Sequence, residues 1–589
     1  MKTNKSTKVL CVIAMLGCAS GIMAQEEVNK EEKNLNREMT LEREYDPSVQ
    51  DANKVNTLPA VKEPTVKKRA IDYAVFAVPT EPEKQISVLP SGKIMADMDY
   101  NKRRGYLNLA AGMNLNINGD FGYHILSTEK DNLNVYLSHR STNGNIDYIQ
   151  IDDKVKAKLN DNLGGLNYKH KFEKAVFNIG AKYGYSGFNY YGLPVTGNLE
   201  EAGTNLDLAD RTTNQVNQTI GANIGIESED EEAPFGYMVD FDYINFSHKY
   251  GADAKSDGPT ENTFELKFNL FAPFGGNQRI GLAGLAEYFS YNLPERCSFE
   301  NHAEVILNPY YTIEGDIWNL KLGAKAMIVT GENSKFAASP DIAFDVEVAD
   351  KTVFYLKADG KLYSNSMYET ALVNRYVNPT EELMPSRNWL DANLGIKSGV
   401  VPGFWFDVFA GYKITSSDVL YLPSRVFEQD GFGNFAEAMS DINTKRFFAG
   451  VNLKYNYQKL FEINLKGVYN NWKANYGDSW IGGEANAELD RVWGKPTAEI
   501  NAGVTVRPID KLAVDVNYYL ATGRYTQLGG NEEVNLNNIN ELNIRGMYNI
   551  NKTFSVNVQL NNVLFQKYDI YYGYPAQGFN LMGGINVNF

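Results

Sequence analysis

The sequence predicts an all-β protein, a large transmembrane antiparallel up-and-down barrel of about 22 strands (20–22), preceded by a proline-rich extended N-terminal arm. Three observations support this fold class. Apolar and polar residues alternate through most of residues 105–589, and about ten short polar turns divide that region. After residue 30, no stretch reaches the roughly 18 to 20 apolar residues that a membrane-spanning helix needs.

The first segment, residues 1–24, reads as a secretory signal. Three lysines precede an apolar run over residues 9–23, and a small residue follows, so we expect cleavage between Ala24 and Gln25. The alternatives are a buried helix and a lipoprotein signal that uses Cys18. After cleavage Cys297 is the single cysteine, which excludes an internal disulfide in the exported chain.

The second segment, residues 25–104, has six prolines and one glycine, whereas residues 105–589 have 14 prolines and 47 glycines. This change of composition predicts a boundary near Gly105. Residues 26–42 could form a short charged helix, and residues 55–90 read as extended chain interrupted by proline. We interpret the segment as a periplasmic tether or disordered arm; alternatively, part of it, such as Ile71 to Val78, folds back or docks on a partner.

The third segment, residues 105–589, alternates with a period of two. In residues 512–520, for example, Leu512, Val514 and Val516 share one strand face, while Asp515 and Asn517 lie on the other. A soluble sandwich needs only about seven to nine such strands around a shared core. Because the pattern continues through the whole segment, its apolar faces are expected to contact lipid.

Connection lengths predict the strand count. Ten tight turns alternate with longer connections, as in barrels with short periplasmic turns and long external loops. Ten turns separate eleven up-and-down pairs and so predict 22 strands. The tight turns are placed near residues 129–132, 173–174, 229–234, 275–278, 314–317, 349–351, 401–403, 458–459, 508–511 and 549–552. The long segments are 187–211, 249–261, 364–387, 415–445, 472–496 and 521–537.

Tyrosine doublets near the predicted strand ends indicate interfacial aromatic girdles, because a ring with a polar group favours the headgroup level. They are Tyr190-Tyr191, Tyr310-Tyr311, Tyr518-Tyr519 and Tyr571-Tyr572.

The final strand predicts insertion into the outer membrane. It places apolar residues on one face and ends in phenylalanine at the carboxyl terminus, which is typical of the signal that barrels present to the outer-membrane assembly machinery. The signal residues are Phe579, Leu581, Ile585, Val587 and Phe589, with Gly583 on the same face. The predicted partners are therefore outer-membrane lipid and that assembly machinery.

The segment before the final strand resembles the closing hairpin of TonB-dependent receptor barrels, which have an Asn-Asn-Leu-Phe-like segment, a Lys-Tyr pair and a Pro-x-x-Gly turn. The matching residues are Asn561, Asn562, Leu564, Phe565, Lys567, Tyr568, Pro575 and Gly578. The resemblance implies a 22-stranded barrel for energised uptake of bulky nutrients, with a globular plug inside it.

The N-terminal arm departs from that family pattern. Its 80 residues are fewer than a family plug needs and contain one glycine, and Met39 to Glu42 is only a weak candidate for an energy-coupling box. A barrel this wide otherwise holds a plugged lumen or a channel. We therefore expect the arm, inward-folding loops or a partner protein to close the lumen.

The sequence predicts no enzymatic chemistry, cofactor or metal site. No two of the five histidines have the i, i+4 metal spacing, and the neighbours Ser138-His139 and Ser247-His248 point to opposite strand faces. Gly477-Asp478-Ser479 only faintly resembles an esterase motif. The acidic runs at residues 200–210 and 227–232 read as solvated charge rather than as calcium loops. The formal net charge of −15 argues against a nucleic-acid partner.

The sequence leaves two functions open. The first is transport or reception of a bulky solute at the cell outer membrane. The alternative is a non-transporting barrel scaffold in an envelope complex, which contacts a periplasmic or outer-membrane partner protein through residues 25–104. An embedded enzyme is the least favoured interpretation.

Overall fold

The computed structural model describes residues 103–193, 213–229, 234–251, 257–294, 297, 299–331, 334–423, 434–476, 488–529 and 532–589. The predicted signal cleavage site, the arm as far as residue 102 and the Gly477-Asp478-Ser479 motif lie outside these residues.

Twenty-two antiparallel strands, which we number β1 to β22, form one closed sheet. The strand number predicted from the turns is confirmed. In chain order the strands are Gly105–Gly112, Ile117–Ser127, Asp131–Asp147, Lys154–Lys171, Ala175–Tyr190, Thr213–Ser228, Gly236–His248, Thr260–Phe274, Gln278–Asn292, His302–Glu314, Trp318–Val329, Lys335–Ala349, Thr352–Tyr363, Ser386–Ser398, Phe404–Ser416, Ile442–Tyr457, Phe461–Tyr476, Ala498–Ile509, Leu512–Thr522, Ile539–Asn549, Phe554–Asn561 and Asn580–Asn588.

The barrel closes between its first and last strands. β1 pairs with β22 from Tyr106–Asn588 to Gly112–Met582, and each of these strands also pairs with its neighbour in the chain. The carboxyl terminus joins this seam, since the Phe589 carbonyl accepts hydrogen bonds from the amides of Arg104 and Gly105 at 2.8 Å each. Closure leaves no free sheet edge, as a lipid-embedded sheet requires.

The short connections lie at one end of the barrel, at all ten places where the sequence predicts them. In barrels of this type the short turns face the periplasm, so the eleven other connections lie at the external end. These carry short pieces of structure of their own: the strand pairs Leu420–Leu422 with Glu437–Met439, Tyr525–Gly529 with Glu532–Asn535, and Asp569–Tyr571 with Tyr574–Pro575. Glu488–Leu489 adds two residues beside β17.

The strand faces divide as the alternation predicts. On β8, Phe264 and Leu266 are exposed on the outer wall, while Glu261, on the opposite face of the same strand, is fully buried. An outward aromatic series crosses three strands, with ring centroids 5.1 Å apart for Tyr243 and Phe264 and 6.4 Å for Phe264 and Tyr288. These rings match an interfacial girdle.

For two of the four tyrosine doublets, the predicted place in an interfacial girdle is wrong. Tyr190 and Tyr191 are 1% and 4% exposed, and Tyr571 packs against the same buried core of external loops. A tyrosine beside a strand end suits a girdle or a loop core equally well, because both combine an apolar contact with a polar partner. Whether such a tyrosine joins a girdle or a loop core depends on how the external loops pack.

In the part of the chain that the structure describes, helical structure is limited to a 3₁₀ turn, Met113–Leu115, and one α-helix, α1, at Met367–Val373. Ser366 caps α1 by accepting a hydrogen bond from the Glu369 amide. Within the described residues, no helix is long and apolar enough to cross a membrane.

Candidate functional site

The external loops fold over the barrel mouth and form what we call the cap. It comprises the described residues of connections 148–153, 191–193, 364–385, 417–441, 477–497, 523–538 and 562–579. Several small hydrophobic cores hold it together, and three of them each draw on more than one loop.

The central core of the cap joins opposite sides of the barrel. Its buried members come from β3, β4 and four loops: Ile146, Tyr148, Val155, Ala157, Tyr191, Leu193, Ala436 and Tyr574. Ala436 lies in the connection after β15, ten strands away from Tyr191 after β5 in a ring of 22. A packed core between such distant loops must span the mouth.

Close packing at Gly192 fixes this crossing. A methyl group there would lie 2.3 Å from a ring carbon of Tyr574 and 2.9 Å from the Asn434 carbonyl oxygen. The side-chain amide of Asn434 donates to the Gly192 carbonyl at 2.8 Å, and the Tyr574 hydroxyl donates to the Asn434 carbonyl. The Tyr574 ring also stacks on Tyr376, with centroids 4.5 Å apart.

A buried arginine joins two further loops of the cap. Arg524 is completely buried, and its guanidinium donates to the carbonyls of Asp569 at 2.9 Å, Ile570 at 2.7 Å and Asn537 at 3.3 Å. Burial lowers the pKa of Arg524 from its ordinary value. The Asp569 carboxylate accepts from the Gly573 amide at 2.9 Å and from Gln150, which ties the same loop to connection 148–153.

Connection 364–385 is the part of the cap that reaches the inner wall, and we call its residues 364–376 the strap. Arg375 donates from one Nη to both oxygens of Asp161 at 2.9 Å and to the Ser186 hydroxyl at 3.1 Å. Asp161 lies on β4, nine strands from β13, where the strap begins. The strap therefore crosses the lumen rather than turning back at its own edge.

Asp161 is also well inside the barrel. It follows the external end of β4 at Lys154 by seven residues. At about 3.3 Å per residue and a strand tilt of about 40°, Arg375 meets the wall roughly 18 Å below that end. The strap is thus an inward-folding element, one of the three ways of closing the lumen that the sequence left open.

The start of the strap docks on carboxylates of β8 to β10. Glu261 accepts from the amides of Met367 at 2.7 Å and Tyr368 at 3.4 Å, in the first turn of α1. The Ser364 hydroxyl lies 3.0 Å from a carboxylate oxygen of Glu304 and 3.4 Å from one of Glu287. These contacts hold the strap at both of its ends.

A row of acidic side chains continues inward from the strap. Glu304, Glu287, Glu265 and Asp242 are direct cross-strand partners on β10, β9, β8 and β7. Like charges at such positions repel one another. Lys267 lies beside the row and pairs with Glu265.

A small cavity lies between the strap and the barrel wall. It is partly open to solvent and is lined by His248, Phe299, Met367, Asn374, Arg375 and Glu381 among others. Burial raises the pKa of the Glu381 carboxyl to about 8, with a further rise from neighbouring Glu437, although the Ala438 amide donates to it. Across the described ranges, no group of three or more His, Cys, Asp or Glu side chains could hold a metal ion.

Four residues of the predicted carboxyl-terminal signal, Leu581, Ile585, Val587 and Phe589, share the outward face of the last strand. Phe579 lies in the connection before that strand, and its ring stacks on that of Phe565 with centroids 4.8 Å apart. Leu581, Ile585 and Phe589 are 42%, 49% and 47% exposed, while Asn580, Met582 and Asn588 on the other face are buried. The Phe589 ring stacks near Phe121 and Tyr123 of β2, with centroids 6.4 and 6.0 Å apart. Contact with the assembly machinery stays a prediction.

The residues of the closing-hairpin motif are divided between two roles. Asn562 has φ +48° and clips its own turn, since its amide side chain accepts from the Gln566 amide at 2.9 Å and donates to the Gln566 carbonyl at 2.8 Å. Tyr568 is buried and donates to Glu541, and Lys567 pairs with Asp147 at 2.8 Å. The other members of the motif are Asn561 at the end of β21, exposed Leu564 and Phe565, buried Pro575 and exposed Gly578.

Sequence reasoning missed the strap and its wall contacts. Arg375, Asp161, Glu261 and Ser364 carry no motif, and the alternation pattern identified only a long loop at residues 364–387. The one local signal was the Ser366-x-x-Glu369 pair, which is a capping box before a short apolar run.

Solved structures share this architecture. The iron transporter FrpB of Neisseria meningitidis matches with a TM-score of 0.61 and 9% identity, over 83% of this chain and 82% of that one. The barrel has the TonB-dependent receptor fold. The siderophore receptor PirA of Acinetobacter baumannii (TM-score 0.60, 10% identity, 83% and 81% covered) and the copper transporter OprC (0.58, 11%, 83% and 80%) match this receptor-type barrel similarly.

No family model matches the sequence, and no curated protein is significantly similar to it. The structural neighbours show the fold, and the predicted fold class is confirmed. A closed 22-strand barrel of this kind is the form in which strands cross the outer membrane, which agrees with the predicted location.

Proposed function

We propose that this receptor-type barrel captures a bulky solute at the cell surface and admits it to the lumen when the strap is displaced. The observation that carries the proposal is the contact of Arg375 with Asp161 across the lumen, at 2.9 Å. The strap is held at its two ends by polar contacts and by the packing of Met367 and Tyr376, and none of these contacts is covalent, which suits an element that leaves and returns. A covalent or wholly apolar attachment would suit permanent closure.

The proposal makes the strap the barrier to passage. A matched pair of proteins tests it in planar bilayers: the full-length chain, and a variant in which residues 366–375 are replaced by glycine and serine at equal length. We expect a largely silent wild type and large, long-lived conductances from the variant. Permanently open wild-type pores, or a silent variant that is correctly folded, would refute the role of the strap.

A second function, a non-transporting scaffold, is supported by the interlocking of the cap. The buried Arg524 guanidinium and the packing at Gly192 join loops that a simple gate would leave independent. In this case the partner is a periplasmic or outer-membrane protein that binds residues 25–104. A mild-detergent pull-down from native membranes, with and without those residues, tests it: recovery of the barrel alone from both strains counts against a scaffold.

Export and assembly complete the proposal. We propose cleavage after Ala24 and insertion by the assembly machinery through the carboxyl-terminal face that ends at Phe589. The N-terminal sequence of the mature chain tests the first of these.

A further inference from the structure

The outer wall carries a hydrogen-bonded series of serine, histidine and asparagine. On β3, His139 Nε2 lies 3.0 Å from the Ser141 hydroxyl oxygen, and His139 Nδ1 lies 2.8 Å from Asn162 Oδ1 on β4. Asn162 Nδ2 in turn donates to Asn160 Oδ1 at 2.9 Å. Residues i and i+2 of a strand share a face, and His139 and Asn162 are direct cross-strand partners.

The series matches one neutral tautomer of the histidine. With Asn162 Nδ2 donating to Asn160 Oδ1, the Asn162 Oδ1 faces His139 Nδ1 and accepts its hydrogen bond in the tautomer that carries the hydrogen on Nδ1. His139 Nε2 is then left as the acceptor for the Ser141 hydroxyl. This is the arrangement of a nucleophile, a general base and a group that orients the base.

The surroundings of the three residues select a substrate class. Leu137 and Leu166, on the same outward face toward the periplasm, are 54% and 48% exposed, and Ile117, the cross-strand partner of Ser141 on β2, is 46% exposed. Gly119 lies opposite His139 and Gly164 opposite Leu137, and the Leu137 side chain packs over Gly164. The series thus adjoins the apolar band of the wall, where a lipid acyl chain can lie.

We propose that Ser141, His139 and Asn162 form a hydrolase site for long-chain acyl esters of outer-leaflet lipids. The site lies on the outside of the barrel and does not depend on passage through the lumen. Asn160, opposite Ser141 in the register, uses its Oδ1 to hold Asn162, so its Nδ2 is placed to stabilise negative charge on the substrate carbonyl oxygen.

The reaction balances with water as the co-reactant. Ser141 Oγ bonds to the acyl carbonyl carbon while its proton passes to His139 Nε2. The tetrahedral intermediate collapses with cleavage of the ester C–O bond, and His139 returns the proton to the departing alcohol. Water then attacks the acyl-serine, gives a proton to His139 and releases the fatty acid, and Ser141 recovers its proton.

The test uses full-length protein in mixed micelles with dioleoyl phosphatidylethanolamine in one arm and purified lipid A in the other, and measures fatty acid released. Ser138→Ala is the matched control, because Ser138 is the neighbouring serine and donates to Asp120 at 2.9 Å instead of to a histidine. We expect Ser141→Ala to lose about a thousandfold or more of the rate, since a triad acts as a unit. Ser138→Ala should retain it.

Two further measurements separate chemistry from folding. Hexadecylsulfonyl fluoride should label Ser141 in the folded wild type and should not label it in His139→Ala. The rate that Asn162→Ala loses should be restored by Asn162→Asp, which keeps the acceptor. Release of fatty acid from either lipid supports the site and identifies the lipid that supplies the acyl ester. The proposal is overturned if folded wild type neither releases fatty acid nor is labelled, or if Ser141→Ala leaves the release unchanged.

Discussion

Replacing Arg375 by alanine tests the strap most directly. The change removes a guanidinium that donates to both oxygens of Asp161 at 2.9 Å and to the Ser186 hydroxyl at 3.1 Å, and it leaves the helix α1 and the carboxylates of β8 to β10 untouched. We expect the strap to leave the wall more often and the barrel to conduct more often.

The structure sets the size of the effect. A charge-assisted hydrogen bond contributes about 1.5–3 kcal/mol when it is buried. Here the Arg375 and Asp161 side chains are 31% and 30% exposed, so solvent screens the pair and we expect a loss of about 1–2 kcal/mol. That range corresponds to a shift of about 5- to 30-fold in the docking equilibrium.

Single-channel recording in planar bilayers measures this shift as open time per protein. Asp161→Asn should give a similar rise, and the double variant should give little more than either single variant, because both remove one interaction. Leu372→Ser is the control, because this strap residue is 49% exposed and makes neither of the end contacts. Equal open times for wild type and Arg375→Ala would refute the reasoning.

Three other predictions concern the cap and the seam. Gly192→Ala should destabilise the cap by about 1–3 kcal/mol through its clash with Tyr574, whereas Gly578→Ala, with nothing within 4 Å, should be neutral; hydrogen exchange of the loops measures both. Because the docked Glu381 keeps its proton up to about pH 8 while its ordinary pKa is 4.5, cap stability should fall as pH rises between these values, and Glu381→Gln should abolish that slope in exchange measured from pH 5 to 9. Phe589→Ala should lower the yield of heat-modifiable, folded barrel in native membranes, and an unchanged yield would exclude this residue from the assembly signal.

The barrel could be predicted because each strand carries its own information. Whether a residue such as Val514 faces lipid or lumen is decided by its neighbours at one and two positions, and the turn at residues 510–511 is marked by a local cluster of proline, aspartate and lysine. Twenty-two local patterns of this kind give the strand number, and each strand then pairs with its neighbours in chain order.

The strap and the cap could not be predicted in the same way. Arg375 and Asp161 are 214 positions apart, and they meet only because a closed ring of 22 strands brings their loops together. The same holds for Tyr191, whose neighbours in the chain fit a membrane girdle as well as a buried core. The pair His139 and Ser141 was within reach of the sequence, but only if spacing i, i+2 on one strand face is considered with the partner strand.

The order in which the polypeptide matures follows from the central core of the cap. Tyr574 lies between the last two strands, yet it packs against residues that were synthesised nearly 400 positions earlier, such as Tyr191. Long-range contacts of this kind form late, because the intervening chain must first be ordered. The outer face of this molecule therefore stays unsealed until its final hairpin is in place, and protection of Tyr191 from protease or label would report completion of the whole barrel.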